Sequence, residues 1–170
     1  VAEPDTNLGF LVSVAYNPYA ACFATTNSLL NQSKINSYAV AGKIGRIPSF
    51  PNNAITIKPT YFLGKTVDGL IRIPAWQGPA SNQFQVYGPS SWNSYIFVDV
   101  NNKQSAGKIA KAVVDGEKDQ TLINNATVNL NEFISYPLDS AAAAFINQQQ
   151  GSQGQVVSGD LAILVAMHVT

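Results

Sequence analysis

The chain has 170 residues, enough for one domain with a substantial core. Only 12% of them are charged, about half the ordinary ~25%, and 46% are hydrophobic; 8 Phe, 7 Tyr and 2 Trp exclude a disordered chain. Ten basic and ten acidic residues cancel without clustering, so neither nucleic acid nor a polybasic membrane contact is expected, and no apolar run reaches the ~18 residues of a spanning helix.

The opening "VAEPDTN" has no Met and no basic stretch. It reads as a trimmed chain, which sets the expectation of a secreted or periplasmic protein. "GFLVSVA" is a short strand ended by Asn17-Pro18. Tyr19, Cys22, Phe23, Leu29 and Leu30 keep helical spacing, which predicts a helix from Tyr19 to Leu30 with Cys22 as an inert, buried thiol. With one cysteine there is no intrachain disulfide and no cysteine metal cage. "NQSKINS" reads as a polar loop and "YAVAGKIGRI" as an alternating strand.

"AITIKPTYFLG" alternates cleanly. Its Pro59 lacks an amide donor, which predicts an edge position or a bulge. With "GKTVDG" as the turn and "LIRIPAW" as the return, a hairpin is expected from Ala54 to Trp76. "QFQVYG" and "NSYIFVDV" are further strands. Ser105 to Val114 is expected as a helix, "TLINNATVNL" as strand-like, "NEFISY" as one helical turn, and Ser140 to Gln149 as a helix capped by Asp139 or Ser140. The last stretch, "LAILVAMHV", is apolar on both faces. That predicts a strand central to a sheet and covered on both sides, by a continuation of the fold, a partner chain or a homo-oligomer.

Short strands broken by Gly, Pro and Asn turns about every ten residues predict a mainly β fold: a single-domain β-sandwich or jelly roll with two or three short helices. No repeat and no long linker divides the chain.

No catalytic, cofactor or metal motif occurs: no G-x-S-x-G, H-E-x-x-H, P-loop or dinucleotide fingerprint. The carboxylates offer no pair, Asp99 and Asp160 simply bounding strands. The candidates that remain are four. His168 shares a strand face with Leu164 and Ala166; it is either the floor of a cavity or a silent core histidine. Lys58 lies between Thr56 and Thr60. It points either to solvent or into a pocket, where it would hold an anionic group. Trp76 and Trp92 sit in loop-like segments and either stack on sugar rings or plug the end of the fold. The acceptor patterns at Asn31 and Asn125 are no more than an Asn-rich chain throws up by chance.

"AITIKPTYFLG" and "GDLAILVAMHVT" together resemble a diffuse family of uncharacterised exported bacterial proteins. In these an Ile-x-Ile-Lys strand precedes a variable middle, and a later strand carries His followed by Val and Thr. The resemblance implies export and makes Lys58 and His168 the corresponding positions; the family's Trp-rich continuation is not found here.

Three functions fit these observations. The first is a secreted or periplasmic protein that binds a carbohydrate or a small anionic ligand through Lys58, His168, Trp76 and Trp92. The second is a self-assembling filament, coat or matrix subunit, which low charge and amide richness favour. The third, an enzyme, has no constellation to support it.

Overall fold

The turns that punctuate the sequence separate short strands and shorter helices, and strand outweighs helix, 34% against 25%, so the chain is mainly β. The computed structural model describes residues 7–40, 43–44, 48–75, 92–150 and 155–170. In chain order the elements are β1 (Asn7–Val12), β2 (Ala15–Tyr16), α1 (Pro18–Thr26), α2 (Gln32–Ser37), β3 (Ala39–Val40), β4 (Lys43–Ile44), β5 (Thr56–Gly64) and β6 (Leu70–Pro74). There follow β7 (Ser94–Asp99), β8 (Val113–Val114), α3 (Gln120–Asn125), β9 (Thr127–Asn129), β10 (Ser135–Pro137), α4 (Ser140–Gln150) and β11 (Leu161–Val169). A five-stranded sheet has the order β1-β5-β11-β10, with β2 also paired to β5. In a four-stranded sheet β7 lies between β6 and β8 and pairs in parallel with β9, while β3 and β4 pair with each other. Two compact units result: Val1–Leu11 with Thr60–Val165, and Val12–Pro59 with Ala166–Thr170.

The first unit holds the core. Phe62 of β5 and Ile163 of β11 meet Ile71 and Ile73 of β6, Val98 of β7 and Val128 of β9 in one buried cluster. Alternation explains the set: Ile71 and Ile73 are two residues apart on β6, so both point the same way. Each such side chain, fully buried, stabilises the fold by about 1.5–3 kcal/mol. A second cluster joins Leu63, Leu138, Ala143, Ile146, Val156 and Ala162. It forms because Ala143 and Ile146 stand three apart on α4 and face one way. Asp139 caps that helix, as expected, by accepting from the Ala142 amide at 2.7 Å. Asn147 then fastens it, donating to the Val156 carbonyl at 2.8 Å and accepting from the Val156 amide at 2.9 Å.

Several expectations fail here for identifiable reasons. β5 and β6 are consecutive but not a hairpin, since each belongs to a different sheet. The chain reverses in a tight turn at Asp68 and Gly69, both at positive φ (51° and 81°). Phe62 then meets Ile71 and Ile73 through side chains, not through a backbone ladder. Gly64 permits the approach: a Cβ there would lie 2.6 Å from Cγ2 of Ile71. Ser105 to Val114 is not a helix, because its amides are committed elsewhere. Gly107 donates to Oε1 of Glu132 and takes φ 69°, Lys111 donates to the Asn125 carbonyl, and Val113–Val114 pairs with β7. "TLINNATVNL" is only half strand: Asp119 accepts from the Thr121 amide and starts α3, and β9 follows it. "NQSKINS" is the short helix α2, not a loop, with Asn31 accepting from the Lys34 amide at its start. "YAVAGKIGRI" divides into two paired strands instead of one. "QFQVYG" lies outside the described residues.

The second unit is built differently. Asn17 is its joint: Oδ1 accepts from the amides of Ala20 and Ile55, and Nδ2 donates to the Asn53 carbonyl. These bonds start α1 and tie it to the approach of β5. Pro18 fits the first helical position, where no amide partner is needed. α1 is shorter than predicted and stops where Asn27 caps it, before Ser28 at φ 54°. It buries Ala20 and Ala24, four residues apart, and this turns Cys22 outward. Cys22 is therefore exposed, contrary to the buried thiol expected.

Pro59 is not at an edge, because β5 has neighbours on both sides. Its carbonyl accepts from the Ser13 amide at 3.2 Å, but it has no N–H to return. β1 and β2 are interrupted at this point, where Ser13 is exposed and water can reach its carbonyl. On the opposite side of β5, Thr56 and Thr170 exchange both backbone bonds, at 2.7 and 3.0 Å, so the two strand ends run antiparallel.

Candidate functional site

β11 is central to its sheet, as its sequence predicts, but it is not covered throughout. Ala162 and Ile163 are buried; Val165, Met167 and Val169 are 38%, 50% and 58% exposed. The expectation of a strand sealed on both faces holds for its first half alone. Its last residues belong to the second unit, which supplies no cluster of large buried side chains among the described residues.

That exposed strand end carries two of the four candidates. The reciprocal bond between Thr56 and Thr170 sets the local register. Two residues inward along each strand stand Lys58 and His168; alternation along β5 sets Lys58 with Phe62 and along β11 sets His168 with Ala162, residues of different buried clusters, so unbroken strands do not carry the two on one face. Both side chains are exposed. Neither makes a hydrogen bond or ion pair among the described residues. The neighbouring strand β2, paired to β5 through Ala15–Ile57 and Tyr16–Thr56, adds exposed Val14 and Tyr16. The exposed strand ends thus carry a lysine and a histidine beside exposed apolar side chains.

Trp92 is half-buried in the first unit, ahead of β7. Trp76 lies outside the described residues.

The polar residues that are buried serve the fold. Asp99, 5% exposed, ends β7 and accepts from the Asn101 amide at 2.8 Å and the Lys103 amide at 2.9 Å. Burial pushes its carboxyl up. The amides of Lys103 and Asn101, the Gln104 side chain and the Lys103 charge together outweigh that and hold it below the usual carboxylate value. Asn129 grips the same loop from β9, donating to the Gln104 carbonyl and accepting from its amide. Asp160 accepts from the Val157 amide and shapes the turn before β11. Arg72 stacks over Tyr95 at 3.9 Å and pairs with Asp115 at 2.9 Å. Among the described residues no three His, Cys, Asp or Glu are placed to hold a metal ion, and no helix is long and apolar enough to cross a membrane.

The carboxylates are unevenly placed along the chain. Between Asp5 and Asp68 there is no Asp or Glu, and the second unit falls entirely within that gap and the last five residues. It holds four basic residues and no acidic one, against all ten acidic and six basic residues in the first unit. A net charge of zero over the whole chain hides this division.

No family model, curated protein or solved structure matches the chain.

Proposed function

We propose that the chain is a structural subunit that assembles with further copies of itself. The observation that carries this reading is the second unit's want of a core. Apart from Pro59, it buries no apolar side chain larger than alanine among the described residues. Val14, Tyr16, Ile55, Met167 and Val169 are instead between 39% and 58% exposed. Several large apolar side chains left open on neighbouring strand ends mark an interaction surface, and a stable interface uses about 20–30 residues a side. The low charge of the whole chain favours the same reading by weakening repulsion between copies.

A carbohydrate or a small anion at Lys58 and His168 has weaker support. Those side chains stand open on a sheet face, whereas small ligands are held in concave sites. Export to the periplasm or the medium is part of the proposal and rests on composition; fractionation of expressing cells tests it.

Sedimentation velocity and electron microscopy of the purified chain test assembly. The expected result is growth in particle size with concentration, with Met167→Asp holding the chain monomeric. A wild-type chain that stays monomeric at its highest soluble concentration overturns the proposal.

A further inference from the structure

We infer that two copies join edge to edge, the outer edge of residues 12–16 in one pairing antiparallel with the same edge of the other across a two-fold axis. The inference rests on the assembly reading above and names the joint.

Backbone direction decides which edge is open. Ser13 donates to the Pro59 carbonyl, Ala15 pairs with Ile57, and Asn17 donates to the Ile55 carbonyl, so these three turn their backbone groups toward β5. Val12, Val14 and Tyr16 then turn theirs away. Among the described residues no strand lies beyond them, and neither backbone group of Val14 finds a partner. Their side chains are 60%, 46% and 39% exposed. The other edges among the described residues are blocked or short. On β10, Leu138 donates to the Asp160 carbonyl and the Ile134 carbonyl accepts from Leu164, which leaves Ser135 and Pro137 facing outward, and Pro137 has no N–H. On β6, Ala75 donates to the Ser94 carbonyl and the Gly69 carbonyl accepts from Val100, which leaves Leu70, Arg72 and Pro74 outward. Leu70 spends its N–H on the Val67 carbonyl, Arg72 is charged, and Pro74 has no N–H. β3, β4, β8 and β9 are only two or three residues long.

A second copy fits this edge by charge and by backbone. No Asp, Glu, Lys, Arg or His lies between Asp5 and Lys34, so the edge meets its own copy with no like charges opposed. In antiparallel pairing each outward residue offers one donor and one acceptor, and a two-fold axis sets the edge against its own complement. The nearest charge in register is Lys58, opposite Val14 on β5. Across the joint the two copies of Lys58 are three strand spacings, about 14 Å, apart, beyond the screening length of about 8 Å in physiological salt. The edge alone is too short to hold two copies, since a stable interface uses about 20–30 residues a side. It sets the register of the joint, and the exposed apolar side chains of the same unit, Met167 included, supply the rest of the contact.

The experiment is hydrogen exchange and sedimentation velocity over a concentration series, on the wild-type chain and on Val14→Lys, which sets two like charges against each other across the joint. Val14 is 46% exposed, so the variant is expected to keep the wild-type circular dichroism spectrum. Ile109→Lys, at a side chain 92% exposed in the first unit, is the control. The amides of Val12, Val14 and Tyr16 are expected to exchange freely in the dilute wild-type chain and to become protected as it assembles. Val14→Lys is expected to move assembly to about tenfold higher concentration or more, and Ile109→Lys to leave it unchanged. Assembly with those three amides still exchanging freely overturns the edge joint while leaving assembly standing. So does a Val14→Lys variant that assembles like the wild type, or a control weakened as much as Val14→Lys. A wild-type chain monomeric throughout overturns the assembly reading itself, and leaves this edge to an extended strand of a different protein.

Discussion

Replacing Asn129 by Ala tests how the end of the four-stranded sheet is held. Asn129 is 3% exposed, and among the described residues its side chain serves Gln104, donating to the Gln104 carbonyl at 2.9 Å and accepting from the Gln104 amide at 2.8 Å. Alanine removes both partners at once. An unsatisfied buried polar group costs about 1–3 kcal/mol. Gln104 is half-buried, so water recovers part of that, and the loss expected for the pair is about 2–3 kcal/mol. With a urea dependence of about 1–3 kcal/mol/M, the unfolding midpoint falls by roughly 1 M. Urea unfolding followed by tryptophan fluorescence measures this, and hydrogen exchange adds a local check: the Gln104 amide is protected in the wild type and exchanges freely in the variant. A midpoint shift below about 0.3 M, or a Gln104 amide already unprotected in the wild type, refutes the reasoning.

Asp99 is held below its ordinary value of 3.8, so its contribution to stability is full above that pH and is lost as pH falls through the lower folded-state value. Asp99→Asn is expected to be less stable at pH 7 and to flatten the decline below about pH 4 in a series of urea midpoints; an unchanged acid limb contradicts the assignment. The exposed Cys22 is expected to react with a thiol reagent in the native protein, one equivalent per chain and without denaturant; reaction only after unfolding places it inside. Gly69→Ala puts a side chain at φ 81° with its Cβ 2.6 Å from Nδ2 of Asn101. A left-handed conformation costs a non-glycine residue about 1–2 kcal/mol before any clash, so thermal unfolding is expected several degrees lower; an unchanged midpoint shows that the turn has re-formed elsewhere.

The mainly β class was legible because turn residues and two-residue alternation are local, and β5, β7 and α4 lie where the sequence set them, while α1 ends at Thr26 instead of Leu30. Asp139 as the cap of α4 follows from the same local chemistry. Tertiary partners decided the rest. Ser105 to Val114 has the composition of a helix, but its amides bond Glu132 and Asn125, residues far along the chain. β5 and β6 look like a hairpin, but side-chain packing of Phe62 on Ile71 and Ile73 outweighs strand pairing between them. The bonds between Thr56 and Thr170 that bring the ends of β5 and β11 together are encoded by no local pattern. The last strand shows the division most clearly. Its apolar sequence determined that β11 sits in mid-sheet. Whether the strand is covered depends on what lies above and below it. Ala162 and Ile163 are buried where the first unit packs on them, and Met167 and Val169 are exposed where the second unit has no large side chains to offer.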